Sequence, residues 1–64
     1  MKLESKQALK QLEADRKAAQ QRLYALFLTS PMTVLDFENR SRSIDMKFAR
    51  EEAYIILAAI MENE

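Results

Sequence analysis

Leu9, Leu12, Ala19, Leu23 and Leu26 recur at helical spacing through a segment, Lys2 to Leu28, that holds no Gly or Pro. Steps of three and four place these side chains on one stripe of a helix, with Arg16 at the position the stripe skips. Most other residues are Ala, Gln, Lys, Glu and Arg, all strong helix formers, so the pattern predicts a helix over 2–28. Glu13 precedes Lys17 by four residues, the favourable order for an ion pair along a helix. Thr29-Ser30-Pro31-Met32-Thr33 interrupts the pattern. Pro31 lacks an N–H and disfavours helix at Ser30, which makes 29–33 a connection. Two restart points compete. Ser30 can cap with Pro31 in the first helical position, or Thr33 can cap with Asp36 three residues on; the second is preferred.

The segment Val34 to Phe48 reads in two ways. As a helix it gathers Val34, Phe37, Ser41, Ile44 and Phe48 on one face. As a β-hairpin it would alternate Leu35 and Phe37 against Ile44, Met46 and Phe48, turning at 38–41. Asp36–Arg40 and Glu38–Arg42 are acid-before-base pairs at helical spacing, and no Asn-Gly or Asp-Gly turn is present, so helix is favoured. Ser41-Arg42-Ser43, of modest helix propensity, marks the place for a kink or frayed turn near 40–43. The helix then continues to residue 62. It carries Ile44, Phe48, Ile55 and Ala59 on one side, with Met46, Ala49, Ala53, Ile56 and Ile60 beside them.

Two helices of about 40 Å joined by about five residues favour antiparallel neighbours. Charge agrees: residues 1–28 carry six basic and three acidic groups, net +3, whereas 29–64 carry four basic and seven acidic, net −3. In such a hairpin, facing residue numbers sum to about 62. That places Arg16 near Asp45, a register pair within the seam, unless Arg16 snorkels to solvent. Leu26 is expected to meet Phe37 near the turn.

The stretches Leu23–Leu28 and Ala53–Met61 are apolar on every side. A helix packed on one neighbour needs a single apolar stripe, so this surplus calls for further cover. Tyr24, Phe27, Leu28, Ile56, Leu57 and Ile60 are the candidate surface for self-association or for a protein partner. The expected fold is all-α: a two-helix antiparallel hairpin, single-domain over 1–64, assembling coiled-coil fashion as a dimeric four-helix bundle.

Composition narrows the function. The chain has 64 residues, zero formal net charge, and no Cys, His or Gly. Disulfides and the usual zinc ligands are therefore excluded, and so are Gly-dependent phosphate loops. Asp45, Glu51 and Glu52 match no EF-hand spacing. No catalytic set, cofactor site or metal site is recognisable, and a non-enzyme is expected. Arg40, Arg42, Lys47 and Arg50 form a basic cluster that could meet a phosphate backbone. Zero net charge and interleaved acids weigh against it, since nucleic-acid domains usually carry a net basic footprint. A membrane-surface role fits less well, because acids flank Ala53–Met61. The longest apolar run, nine residues, is short of the ~20 that span a bilayer. With a charged segment after Met1 in place of an apolar leader, a cytoplasmic location is expected. The expectation is a small adaptor, chaperone-like or regulatory protein. The alternatives are a nucleic-acid accessory protein and a structural subunit of a larger assembly.

Overall fold

A computed structural model describes residues 2–62 of the chain. It contains two helices, α1 (Leu3–Thr29) and α2 (Val34–Glu62), packed side by side as an antiparallel hairpin. The protein is all-α, and no strand occurs among the described residues. The segment 34–48, for which a β-hairpin was the competing expectation, is helical, and its hydrogen-bonded helix passes unbroken through Arg40–Ser43. Tertiary packing explains the choice. As a helix, this segment places Phe37, Ser41, Ile44 and Phe48 on the side that meets α1, and all four are half-buried.

The turn is built without Gly because it needs no positive φ; none occurs among the described residues. Thr29 Oγ1 donates to the Ala25 carbonyl oxygen at 2.9 Å, and the Ser30 N–H reaches Leu26 O at 2.9 Å. The Ser30 bond satisfies one of the carbonyls that the end of α1 leaves without an intrahelical partner. Ser30 is extended (φ −123°, ψ 156°), as a residue before proline should be. The Met32 N–H then closes a tight γ-turn onto Ser30 O at 2.8 Å, around Pro31. Thr33 starts α2: its Oγ1 accepts the Asp36 N–H at 3.1 Å, and Asp36 adds negative charge to the first turn. The start of α1 is plainer. Lys2 occupies the cap position without a side-chain bond, and Glu4 is the only acid in the first turn.

Packing is thin. Only Leu23 (7% exposed) and Ala59 (5%) are buried among the described residues. Leu9, Leu12, Ile44, Phe48 and Ile55 lie half-buried along the same seam. At the turn end Phe37 packs against Phe27, centroids 4.8 Å apart, and edge-on to Tyr24 at 6.4 Å. Sequence alone had offered Leu26 as its neighbour. Leu26 is one residue, about 100°, round α1 from Phe27, and it lines a recess with Pro31, Met32, Asp36 and Arg40. Interhelix pairs run from Lys2–Glu62 at the open end, through Arg16–Asp45 and Gln20–Ser41, to Phe27–Phe37. Their residue numbers sum to between 61 and 64, against the expected 62.

The Cα envelope measures 50 × 17 × 8 Å, a single layer one helix thick. Its radius of gyration is 15.0 Å, where a compact 64-residue domain would have about 11 Å. No described helix is long and apolar enough to cross a membrane.

Because the Thr33 cap satisfies a helix-end donor, Thr33→Ala should lower unfolding stability by about 1 kcal/mol and Thr33→Asp should restore most of it. Urea denaturation followed by circular dichroism at 222 nm checks this. Equal stability of all three proteins would show that the cap contributes nothing.

Candidate interaction surface

Polar side chains occupy the middle of the seam. Gln20 Nε2 donates to Asp45 Oδ1 at 3.0 Å and to the Ser41 carbonyl oxygen at 3.2 Å, while Ser41 Oγ donates to Gln20 Oε1 at 3.0 Å. Both ends of the Gln20 amide are thus satisfied across the interface, and no buried side-chain polar atom lacks a partner among the described residues. One turn toward the open end, Arg16 Nη2 donates to Glu13 Oε1 at 2.7 Å, and Nη1 lies 3.6 Å from Asp45 Oδ1. The hydrogen bond from Arg16, followed by its charge, holds the Glu13 carboxyl below its ordinary value of 4.5. The same bond raises the Arg16 guanidinium further. Arg16 therefore neither snorkels freely nor pairs with Asp45 alone; its stronger partner is Glu13, three residues back on α1. The sequence suggested Glu13–Lys17 instead. The planar Arg fork reaches Glu13 and Asp45 together, which a Lys ammonium at position 17, farther round the helix, does not.

Beside this cluster an open groove of about 390 Å³ runs between the helices. Leu9, Leu12, Phe48 and Ala49 line it together with Glu13, Arg16, Asp45 and Glu52. It holds no nucleophile paired with a base, and no group of three or more metal-ligating side chains occurs among the described residues.

The apolar candidates separate into two regions. At the turn end, Tyr24 (55% exposed) and Leu28 (64%) stand out from the surface, whereas Phe27 is half-buried against Phe37. Val34 and Leu35 are exposed nearby. At the open end, Leu57 and Ile60 are each 54% exposed, Met61 and Tyr54 are exposed too, and Ile56 is half-buried. Tyr54 lies on the opposite broad face from Ile56 by helical position, 200° round α2.

Three of the four basic candidates share one face of α2. Arg40, Arg42, Lys47 and Arg50 are all exposed. At 100° per residue, Arg40, Lys47 and Arg50 fall within about 80° of one another on one face of α2, whereas Arg42 lies across the helix from Arg40. Lys47 sets its ammonium 5.8 Å over the Phe48 ring, and Arg40 lines the recess by Pro31. The expected Asp36–Arg40 and Glu38–Arg42 ion pairs are not formed; the ion pairs among the described residues are Lys2–Glu62 and the two made by Arg16.

Gln20 and Ser41 went unrecognised as a pair in the sequence. Ser41 was placed on the facing side of α2, but Gln20 sits beside Ala19 at the edge of the apolar stripe and resembles a solvated residue. The facing-number rule carried the signal, since it sets 20 opposite 42. Comparison with protein-family models, curated proteins and solved structures finds no match to this chain.

Two outcomes follow from the seam. Gln20→Ala and Ser41→Ala should each destabilise the hairpin, with a coupling of about 0.5–1.5 kcal/mol in a double-mutant cycle by urea denaturation; strict additivity would mean the bond between them is immaterial. The lowered Glu13 pKa makes its contribution fully present above the unfolded-state value of 4.5 and lost as pH falls through the lower, folded value. Glu13→Gln should accordingly flatten the acid limb of the stability–pH curve in that window, and an unchanged slope would refute the role given to the pair.

Proposed function

We propose that this chain is a non-enzymatic interaction protein of the adaptor, chaperone-like or regulatory kind, acting through protein–protein contacts of its apolar helix faces. One observation carries the reading: eleven large apolar side chains stand exposed among the described residues of a one-layer hairpin, with Leu57, Ile60 and Met61 gathered at the open end and Tyr24, Leu28, Val34 and Leu35 at the turn. Apolar groups clustered on a surface mark interaction sites. Size supports it as well. The chain exposes 5224 Å², where a compact monomer of its mass would expose about 4,200 Å². The surplus is of the order that one side of a specific interface contributes. Zero formal net charge and the acids interleaved with Arg40, Arg42, Lys47 and Arg50 weigh against the nucleic-acid reading, because nucleic-acid domains usually carry a net basic footprint.

The test is position-dependent photo-cross-linking in the protein's own cells. A photoreactive residue at Leu57 or Leu28 should give discrete protein adducts, and one at Ala14, on the polar outer side of α1, should give none. Adducts no more abundant at Leu57 and Leu28 than at Ala14 would overturn the interaction reading.

A further inference from the structure

α2 carries two seams. The first, through Phe37, Ser41, Ile44, Phe48, Ile55 and Ala59, is spent on α1. The second runs through Met46, Ala49, Ala53, Ile56 and Ile60 at steps of three, four, three and four, the spacing of a coiled-coil a/d stripe. By helical position it lies about 130° round α2 from the first, so α1 reaches only its inner edge, where Ala49 lines the interhelix groove. Met46 and Ile60 are largely exposed, Ala49 and Ala53 are exposed, and Ile56 is half-buried. We infer that this second stripe receives the same stripe of a second copy of the chain, with the two α2 helices crossing antiparallel at Ala53. This rests on the interaction reading above and names its first occupant.

Area and side-chain size argue for that occupant. The chain as a whole exposes roughly 1,000 Å² more than a compact monomer, enough to include the 600–1,000 Å² that each partner gives to a stable interface. The stripe is symmetric in extent about Ala53. An antiparallel crossing sets Met46 opposite Ile60 of the second copy, Ala49 opposite Ile56, and Ala53 opposite itself, so small residues meet large ones on either side of the point of closest approach. A parallel pairing would instead stack alanine on alanine twice between pairs of bulky residues. It would also set Arg42, the next stripe position toward the turn, against its own copy. Antiparallel packing leaves Arg42 beyond the contact. It does bring the two Glu52 carboxylates to the flanks of the axis, and that repulsion gives the orientation a signature.

Sedimentation equilibrium of the purified full chain should give twice the 7.5 kDa chain mass at micromolar concentration. Ala53→Asp, at an exposed position whose side chain the hairpin itself does not use, should yield a folded monomer with at least about a 100-fold weaker Kd. Glu52→Gln should tighten the dimer several-fold. Under oxidation, Ala53→Cys should form a disulfide-linked dimer, while Met46→Cys and the outer-face control Ala14→Cys should not. A helical monomer at millimolar concentration would overturn the inference, as would a dimer indifferent to Ala53→Asp or linked through Met46→Cys. If the purified chain is monomeric but Leu57 still gives adducts with another protein, only the second-copy assignment falls; absence of adducts at Leu57 and Leu28 removes the broader reading with it.

Discussion

A helix packed on one neighbour hides one stripe of its surface, and a pair of helices has one such contact to share. That limit governs the molecule. With only Leu23 and Ala59 buried among the described residues and the seam otherwise half-covered, the hairpin draws little from hydrophobic burial for its size. Disulfides and the common structural zinc sites are closed to a chain without Cys or His. In the proposed reading a further protein surface covers the apolar residues left exposed at both ends of the layer.

Within the hairpin, specificity and stability come from different places. The aromatic group at the turn, Phe27, Phe37 and Tyr24, supplies area plus roughly 0.5–1.5 kcal/mol for each well-oriented ring pair. The central group of Arg16, Gln20, Ser41 and Asp45 supplies less net energy, because its bonds replace bonds to water. What it does supply is position. Sliding α2 by one turn would part Gln20 from Ser41 and set one of them against an aromatic ring, Phe37 or Tyr24. Such a slip costs the desolvation of every unpaired group, so a seam of modest strength still has one preferred register. The Lys2–Glu62 pair at the open end, exposed and 3.5 Å long, adds little to this.

The fold was legible because its signals are local. A breaker-free run of strong helix formers, a Pro-centred interruption and a Thr capping residue each act within a few residues, and opposite net charges on the two halves point to folding back. The weaker passages were those decided by tertiary contact. Residues 34–48 could be read as strand or helix until α1 supplied a surface for Phe37 and Ile44. The Gln20–Ser41 pair depends on two residues 21 apart, and neither signals its role alone. The ion pairs expected from helical spacing, Asp36–Arg40 and Glu38–Arg42, are not made, in keeping with the small energies of exposed pairs on a helix. The candidate surface was readable as an excess of apolar residues. Which of them turn inward was not, as Phe27 and Ile56 show by lying half-buried.

The two seams of α2 differ in the way their tasks require. The first joins parts of one chain, and the short Ser30–Thr33 connection holds its sides at high effective concentration. A seam so tethered can give up affinity for specificity, and it carries Gln20, Ser41 and Arg16 among its apolar residues. The second stripe has no tether. Association must offset several kcal/mol of lost translational and rotational freedom before any net binding appears, and exposed polar pairs are too weak to do so. From Met46 to Ile60 that stripe is accordingly all apolar, with its small residues at the centre and its large ones toward the ends. Polar residues return at Arg42, one step toward the turn. In the proposed dimer, the distribution of polar groups between the seams would follow from whether the joined surfaces belong to one chain or to two.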